Sequence, residues 1–192
     1  NASTWALMLT GRVLKEDTRP GLAATLHGAV KRLGEPVIRA AVGRAMREMG
    51  NQFVLGETIA AAQIRAQSMA AKGYTHSYDM LGEAARTAAD AAAYFAAYSN
   101  AIAAIAPRCT SAAVHDNPGI SIKLSALHPR YEAPKRARLM SDLVPRVAAL
   151  ARAARGANMG LSIDAEEADR LEISLDVIEA VLADPELAGW DG

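Results

Sequence analysis

Five charged residues stand out for where they fall: Asp79 and Glu83, then Lys123, then Asp164 and Glu166, each at or near the end of a short apolar run. Lys123 follows Asp79 by 44 residues and Asp164 follows Lys123 by 41, so the three groups recur with nearly one period. Charge at such places is costly to bury unless it is paired or used. A lysine between carboxylates stays cationic and can hold an anionic substrate group while the carboxylates orient it. Each residue also has a plainer reading. Lys123, between Ile122 and Leu124, could form a structural ion pair, and Asp79 and Glu83 could pair with arginines. Asp164, Glu166 and Glu167 precede a helix and could cap it. The residues alone leave these alternatives open.

Other chemistry has weaker footing. His76, His115 and His128 are too scattered for a metal set, and Cys109, beside Arg108, reads as a bystander. The sequence holds no serine nucleophile elbow and no dinucleotide fingerprint.

The elements that must position the five residues follow from periodicity. Tyr74–Glu83 (YTHSYDMLGE) precedes an alanine-rich helix from about Ala84 to Ile105. Gly119–Leu127 (GISIKLSAL) precedes a loop and a helical stretch from about Pro134 to Arg155. Gly160–Glu166 (GLSIDAE) precedes a helix carrying Leu171, Leu175, Ile178 and Leu182. Each short run has the bounded look of a buried strand and each following segment has helical period. Repeated strand–helix units argue for a parallel sheet with right-handed crossovers. The fold class expected is α/β: an incomplete (βα)8 TIM-type barrel, represented by its first three βα units. A complete one needs about 250 residues. An open doubly wound sheet fits the pattern too, but no glycine-rich phosphate loop supports it. In such barrels chemistry sits at the C-terminal strand ends, where the five residues fall.

Residues 1–50 read as a helical region preceding the barrel, and 51–192 as the N-terminal portion of the barrel. Pro20-Gly21 opens a segment with Leu22, Leu26, Val30 and Leu33 at helical spacing, ending at Gly34; Pro36 then fits the first turn of a second helix. Thr58 is placed to cap a helix that stops near Lys72-Gly73. Lys31, Arg32, Arg39, Arg44 and Arg47 read as a solvated helix face rather than a nucleic-acid patch.

Apolar residues make up 51% of the 192 and mean hydropathy is +0.04, which excludes a disordered chain and a membrane-embedded one. Lys+Arg and Asp+Glu balance at 21 each, so total charge gives no footprint for nucleic acid. One cysteine excludes an internal disulfide and fits a reducing compartment. The apolar segment Trp5–Leu9 is too short to span a bilayer. A start at Asn1-Ala-Ser-Thr reads as a cut in a longer, cytoplasmic polypeptide.

Three strings carry a resemblance: Ser77–Ala84 (SYDMLGEA), Gly119–Tyr131 (GISIKLSALHPRY) and Ile163–Leu175 (IDAEEADRLEISL). They resemble the first three strand motifs of the proline dehydrogenase domain of bacterial proline utilization A proteins. Asn51–Ala60 (NQFVLGETIA) and Glu186–Asp191 (ELAGWD) resemble the flanking stretches. The resemblance implies FAD-dependent oxidation of L-proline to 1-pyrroline-5-carboxylate, with electrons passed to a membrane quinone. It implies that Lys123 helps bind the proline carboxylate, that Asp164 lies beside that lysine and the flavin, and that Glu166 is a further contact nearby. Glu83 resembles the acid that pairs with an arginine from the last part of the barrel to close over substrate, with Asp79 supporting that gate. Later barrel strands would supply most flavin contacts and the paired arginines. The parent would be a cytoplasmic homo-oligomer with peripheral membrane association, carrying an NAD-dependent aldehyde dehydrogenase domain downstream. No DNA-binding module is discernible and no nucleic-acid binding is expected of this segment, and the segment is expected to be inactive alone.

Two other readings compete. Lys123 could be the nucleophile of a Schiff-base barrel enzyme, which needs an apolar pocket that lowers its pKa, whereas neighbouring carboxylates raise it. Alternatively, the chain is a non-catalytic helical interaction segment, which leaves charge at three strand ends unexplained.

Overall fold

Alanine is the commonest residue after Gly21, and in the computed structural model, which describes residues 22–192, this stretch forms one long helix. That helix, α1 (Leu22–Gly50), runs through both Gly34 and Pro36, where the sequence suggests a break between two helices. Proline's fixed φ is itself helical, and its ring removes a single N–H from the ladder at a cost of about 3 kcal/mol. Good helix formers on both sides carry the helix across. Arg39, Arg44 and Arg47 are exposed on it. Trp5–Leu9 and Pro20-Gly21 lie outside the described residues, as do the side chains of Leu22, Leu26, Val30, Lys31, Arg32 and Leu33. The chain divides into two units, Asn1–Glu57 and Thr58–Gly192.

The second unit holds the sheet. Thr58 caps α2 (Ile59–Ala70), its side chain accepting the Ala61 N–H at 3.2 Å. Then come β1 (Ser77–Asp79), α3 (Ala88–Ile105), β2 (Gly119–Ile122), the single turn α4 (Leu124–Leu127), α5 (Arg136–Gly156), β3 (Leu161–Ile163) and α6 (Leu171–Leu182). The strands are parallel, in order β1-β2-β3, with Asp79 level with Ser121 and Ile122 level with Ile163.

Alternation along β2 divides the two faces of the sheet. Ile120 and Ile122 are fully buried on the helix side with Tyr98, Ile105, Leu139, Leu143 and Val147. Burying such a side chain contributes about 1.5–3 kcal/mol, which makes this cluster the core of the unit. The opposite face carries Ser77, Asp79, Ser121 and Ser162, with Lys123 and Asp164 continuing it past the strand ends. Ser77 Oγ and Ser121 Oγ lie 3.3 Å apart. This face is therefore polar, as the alternation of polar and apolar residues along the three strands requires.

Several boundaries differ from the periodic reading. The run Gly119–Leu127 is a strand only to Ile122; beyond Lys123 the chain coils into α4, whose Leu127 carbonyl accepts from Arg146 at 2.6 Å. On α6 the stripe Leu171, Leu175 and Leu182 is exposed, and the buried side is Ile173, Val177 and Val181. That helix has apolar residues on two of its three faces, so period alone cannot select which one meets α5.

The helix α3 begins four residues later than its alanines suggest, because Thr87 and Asp90 cap it reciprocally. The Asp90 N–H donates to Thr87 Oγ1 at 3.1 Å and the Thr87 N–H to Asp90 Oδ2 at 2.9 Å. The hydrogen bonds from Thr87 hold the Asp90 carboxyl below its ordinary pKa. Replacing Thr87 with alanine should lower stability by about 1 kcal/mol, read as a shift in the urea denaturation midpoint. A depressed folded pKa stabilises above the unfolded value, so the contribution of Asp90 is complete above about pH 4. It is lost as pH falls through the folded value, and the difference between Thr87→Ala and the parent should shrink in acid.

Candidate active site

Parallel pairing places the ends of β1, β2 and β3 side by side, with the residue following β2 in the middle. That residue is Lys123. Its Nζ donates to Asp79 Oδ1 at 2.7 Å on one side and to Asp164 Oδ2 at 2.7 Å on the other. The lysine side chain is 15% exposed, Asp79 50% and Asp164 28%, so the cluster lines an open mouth rather than a sealed interior. Burial alone would lower the lysine pKa. The hydrogen bonds and charges of Asp164 and Asp79 outweigh it and hold the ammonium above its usual range. At neutral pH Lys123 is a fixed cation with two of its three N–H bonds committed.

Glu83, Lys123, Asp164 and Glu166 line one cleft of about 500 Å³, together with Ala84, Ser125, Ala165 and Glu167. The structure thus brings four of the five expected residues to one cleft, and Asp79 joins them through Lys123. A second cleft of about 440 Å³, around His128, Arg138 and Arg146, holds none of them. Asp79 pairs with the lysine, not with an arginine. Glu83 is exposed at the rim and makes no ion pair among the described residues. The capping alternatives fare differently. Glu166 does cap a turn, but that of α4: its Oε2 accepts the Ser125 N–H at 3.0 Å and its Oε1 accepts the Ser125 hydroxyl. Glu167 makes no capping bond and pairs with Arg170 at 3.1 Å.

Two residues of the site are not evident from sequence patterning. Tyr98, 1% exposed on α3, accepts the Lys123 backbone N–H at 3.1 Å through its hydroxyl. Burial holds its phenol above the ordinary pKa, so it stays neutral. The available signal was a tyrosine in an alanine-rich helix that also carries Tyr94 and Phe95, since a buried phenol needs a polar partner. Ser125 is the other, a buried polar residue two positions past the lysine.

The remaining candidates carry little. Among the described residues no group of three or more His, Cys, Asp or Glu side chains is placed to hold a metal ion. Burial raises the Cys109 thiol, whose Sγ lies 3.7 Å from the Pro118 carbonyl oxygen. Among those residues no helix is long and apolar enough to cross a membrane.

Comparison with known proteins bears on these readings. A family model described as "Proline dehydrogenase" matches residues 62–192, and one described as "DNA-binding domain of Proline dehydrogenase" matches residues 1–53. The second match stands against the expectation that no DNA-binding module is discernible. The chain is 52% identical over 192 residues to "Bifunctional protein PutA" of Salmonella typhimurium and 50% to that of Escherichia coli. In each case it is covered fully and spans 14% of the relative's length. A crystal structure of a Bradyrhizobium japonicum Proline Utilization A (PutA) mutant aligns with a TM-score of 0.69 at 53% identity, covering 93% of this chain and 18% of that one. Proline utilization A from Bdellovibrio bacteriovorus shares the fold at 19% identity, with a TM-score of 0.70 over 78% of this chain and 17% of that one.

Replacing Tyr98 with phenylalanine removes the acceptor for a buried N–H without changing shape. It should cost about 1–3 kcal/mol in urea denaturation, the penalty for an unsatisfied buried donor. A loss below a few tenths would show that the Lys123 backbone finds another partner.

Proposed function

The chain belongs to the proline dehydrogenase family, and from that premise we propose that residues 51–192 supply the first three βα units of a (βα)8 barrel that oxidises L-proline to 1-pyrroline-5-carboxylate with FAD. The observation that carries this reading is Lys123, held protonated at the central strand end between Asp79 and Asp164. A fixed ammonium at a barrel mouth suits an amino-acid carboxylate and does not suit a Schiff-base nucleophile, which must be neutral to attack.

The inner face fits a flat cofactor laid across the strand ends: Ser121 and Ser162 are small, and the cleft bordered by Lys123, Asp164 and Glu166 is open. Asp164 and Glu166 would border the flavin's near edge with Lys123 beside them, and the flavin, when bound, would supply the acceptor for the hydride leaving the proline ring. This chain's own residues bind and orient. Lys123 gives its third N–H to the substrate carboxylate, while Asp79 and Asp164 fix the direction of its side chain. Glu83 stands at the rim as the acidic half of a gate. The five side chains set four carboxylates against one ammonium. A substrate carboxylate therefore needs further cations, which matches the arginines that the family resemblance places later in the barrel.

Continuation of the barrel is supported by one hydrogen bond. The Gly192 carbonyl accepts the Leu161 N–H at 2.9 Å, as the Gly160 carbonyl accepts the Ile120 N–H at 3.0 Å. Gly192 thus lies beside β3 much as Gly160 lies beside β2. The exposed Leu171, Leu175 and Leu182 stripe suits a further helix in that direction. For the parent protein the proposal extends to a cytoplasmic homo-oligomer that meets the membrane peripherally, passes electrons to a quinone, and carries an NAD-dependent aldehyde dehydrogenase domain.

The test is an anaerobic flavin spectrum of the protein extended beyond Gly192 along its own reading frame, before and after L-proline. Flavin should bleach, and Lys123→Ala should slow bleaching on the order of a hundredfold or more. Flavin indifferent to proline would refute the reading. The 192-residue chain run alongside should emerge from gel filtration without flavin.

A further inference from the structure

Resting on the proposed proline dehydrogenase reading, we infer that Ser125 is the positioning residue that locks the three strand-end loops together and sets where Glu83 stands relative to Lys123. Lys123 joins the three strand ends through its side chain; Ser125 joins the loops beyond them. Ser125 is 3% exposed, in the first turn of α4, two residues beyond the lysine. Toward the loop after β3, its N–H donates to Glu166 Oε2 at 3.0 Å and its hydroxyl donates to Glu166 Oε1. Toward the loop after β1, its hydroxyl oxygen accepts the Ala84 N–H at 3.0 Å and its carbonyl accepts the Ala85 N–H at 2.9 Å. One side chain thus donates to the third loop and accepts from the first.

The segment held in this way cannot hold itself. Ala84 has φ +52°, an uncommon conformation for a residue with a side chain, and Gly82 has φ +133°. A Cβ at Gly82 would collide with the Tyr94 ring. Glu83 therefore sits between two left-handed residues, and the N–H groups that follow it are fixed from outside by Ser125. Its carboxylate has no cation among the described residues, so its place at the rim is set by the backbone rather than by a partner. Glu166 has both oxygens committed to Ser125, which makes it the brace of this lock.

Substitution should show as a change in substrate capture more than in turnover. Ser125→Ala keeps both backbone bonds and loses both hydroxyl bonds, leaving the Ala84 N–H and one Glu166 oxygen unpaired. In the flavin-loaded extended protein, KM for L-proline should rise on the order of tenfold with kcat changed much less. Bound flavin and the denaturation midpoint are measured on the same sample. The discriminating arm is a cycle with Glu83→Ala. If Ser125 acts through Glu83, adding Ser125→Ala to Glu83→Ala should raise KM little further. Ser125→Cys, which weakens both hydroxyl bonds at nearly constant shape, serves the same cycle should Ser125→Ala lose its flavin. An unchanged KM in a parent that does oxidise proline, or fully additive effects, would overturn the inference. A parent indifferent to proline would instead sink the functional reading.

Discussion

A parallel ladder brings three strand ends within reach of one lysine side chain, and the rest of the site depends on that juxtaposition. Neighbouring strands lie about 4.8 Å apart, so a residue just past the central strand can touch groups at the ends of both neighbours. The order β1-β2-β3 gives Lys123 that central place, and both carboxylates meet its ammonium at 2.7 Å. Any other strand order would strand one of the two acids. The helices serve this arrangement from behind: α3 brings Tyr98 to the Lys123 backbone, and α5 brings Arg146 to the end of the turn that follows.

The ladder also decides what kind of chemistry the mouth can host. With Lys123 held protonated, the site offers a cation of fixed position, and on the proposed reading the flavin supplies the redox chemistry while the protein orients. Four carboxylates around one ammonium leave the cleft acidic, which suits the cationic ring nitrogen of an amino acid and leaves its carboxylate in want of further positive charge. Ser125 extends the same logic to the loops, since a mouth assembled from three separate turns needs something that touches all of them.

Much of this was legible in the residues themselves. The nearly even spacing of Asp79, Lys123 and Asp164 pointed to strand-end positions, because a repeating strand–helix unit returns each charge to the same height. The long strings around them carried the family. Other features were not legible, for stated physical reasons. Gly34 and Pro36 look like a helix break, yet α1 passes through both. The apolar pattern of α6 offers two equivalent stripes, and only the approach of α5 selects Ile173, Val177 and Val181. Tyr98 reaches Lys123 through one hydrogen bond across 25 residues of chain, and Ser125 reaches Ala84 and Glu166 across 41 on either side, which no local period encodes. The basic residues of α1 read as a solvated face, whereas the family match over residues 1–53 carries a DNA-binding description.

The central claim is that Lys123 is a carboxylate-binding cation held in place by two acids. A crystal structure of the extended, flavin-loaded protein with L-proline trapped in its site tests it most directly. The account predicts a carboxylate oxygen within hydrogen-bond distance of Lys123 Nζ, with Asp79 and Asp164 still holding the other two protons. A proline carboxylate bound away from Lys123, or a covalent bond from Nζ to a substrate carbon, would contradict it.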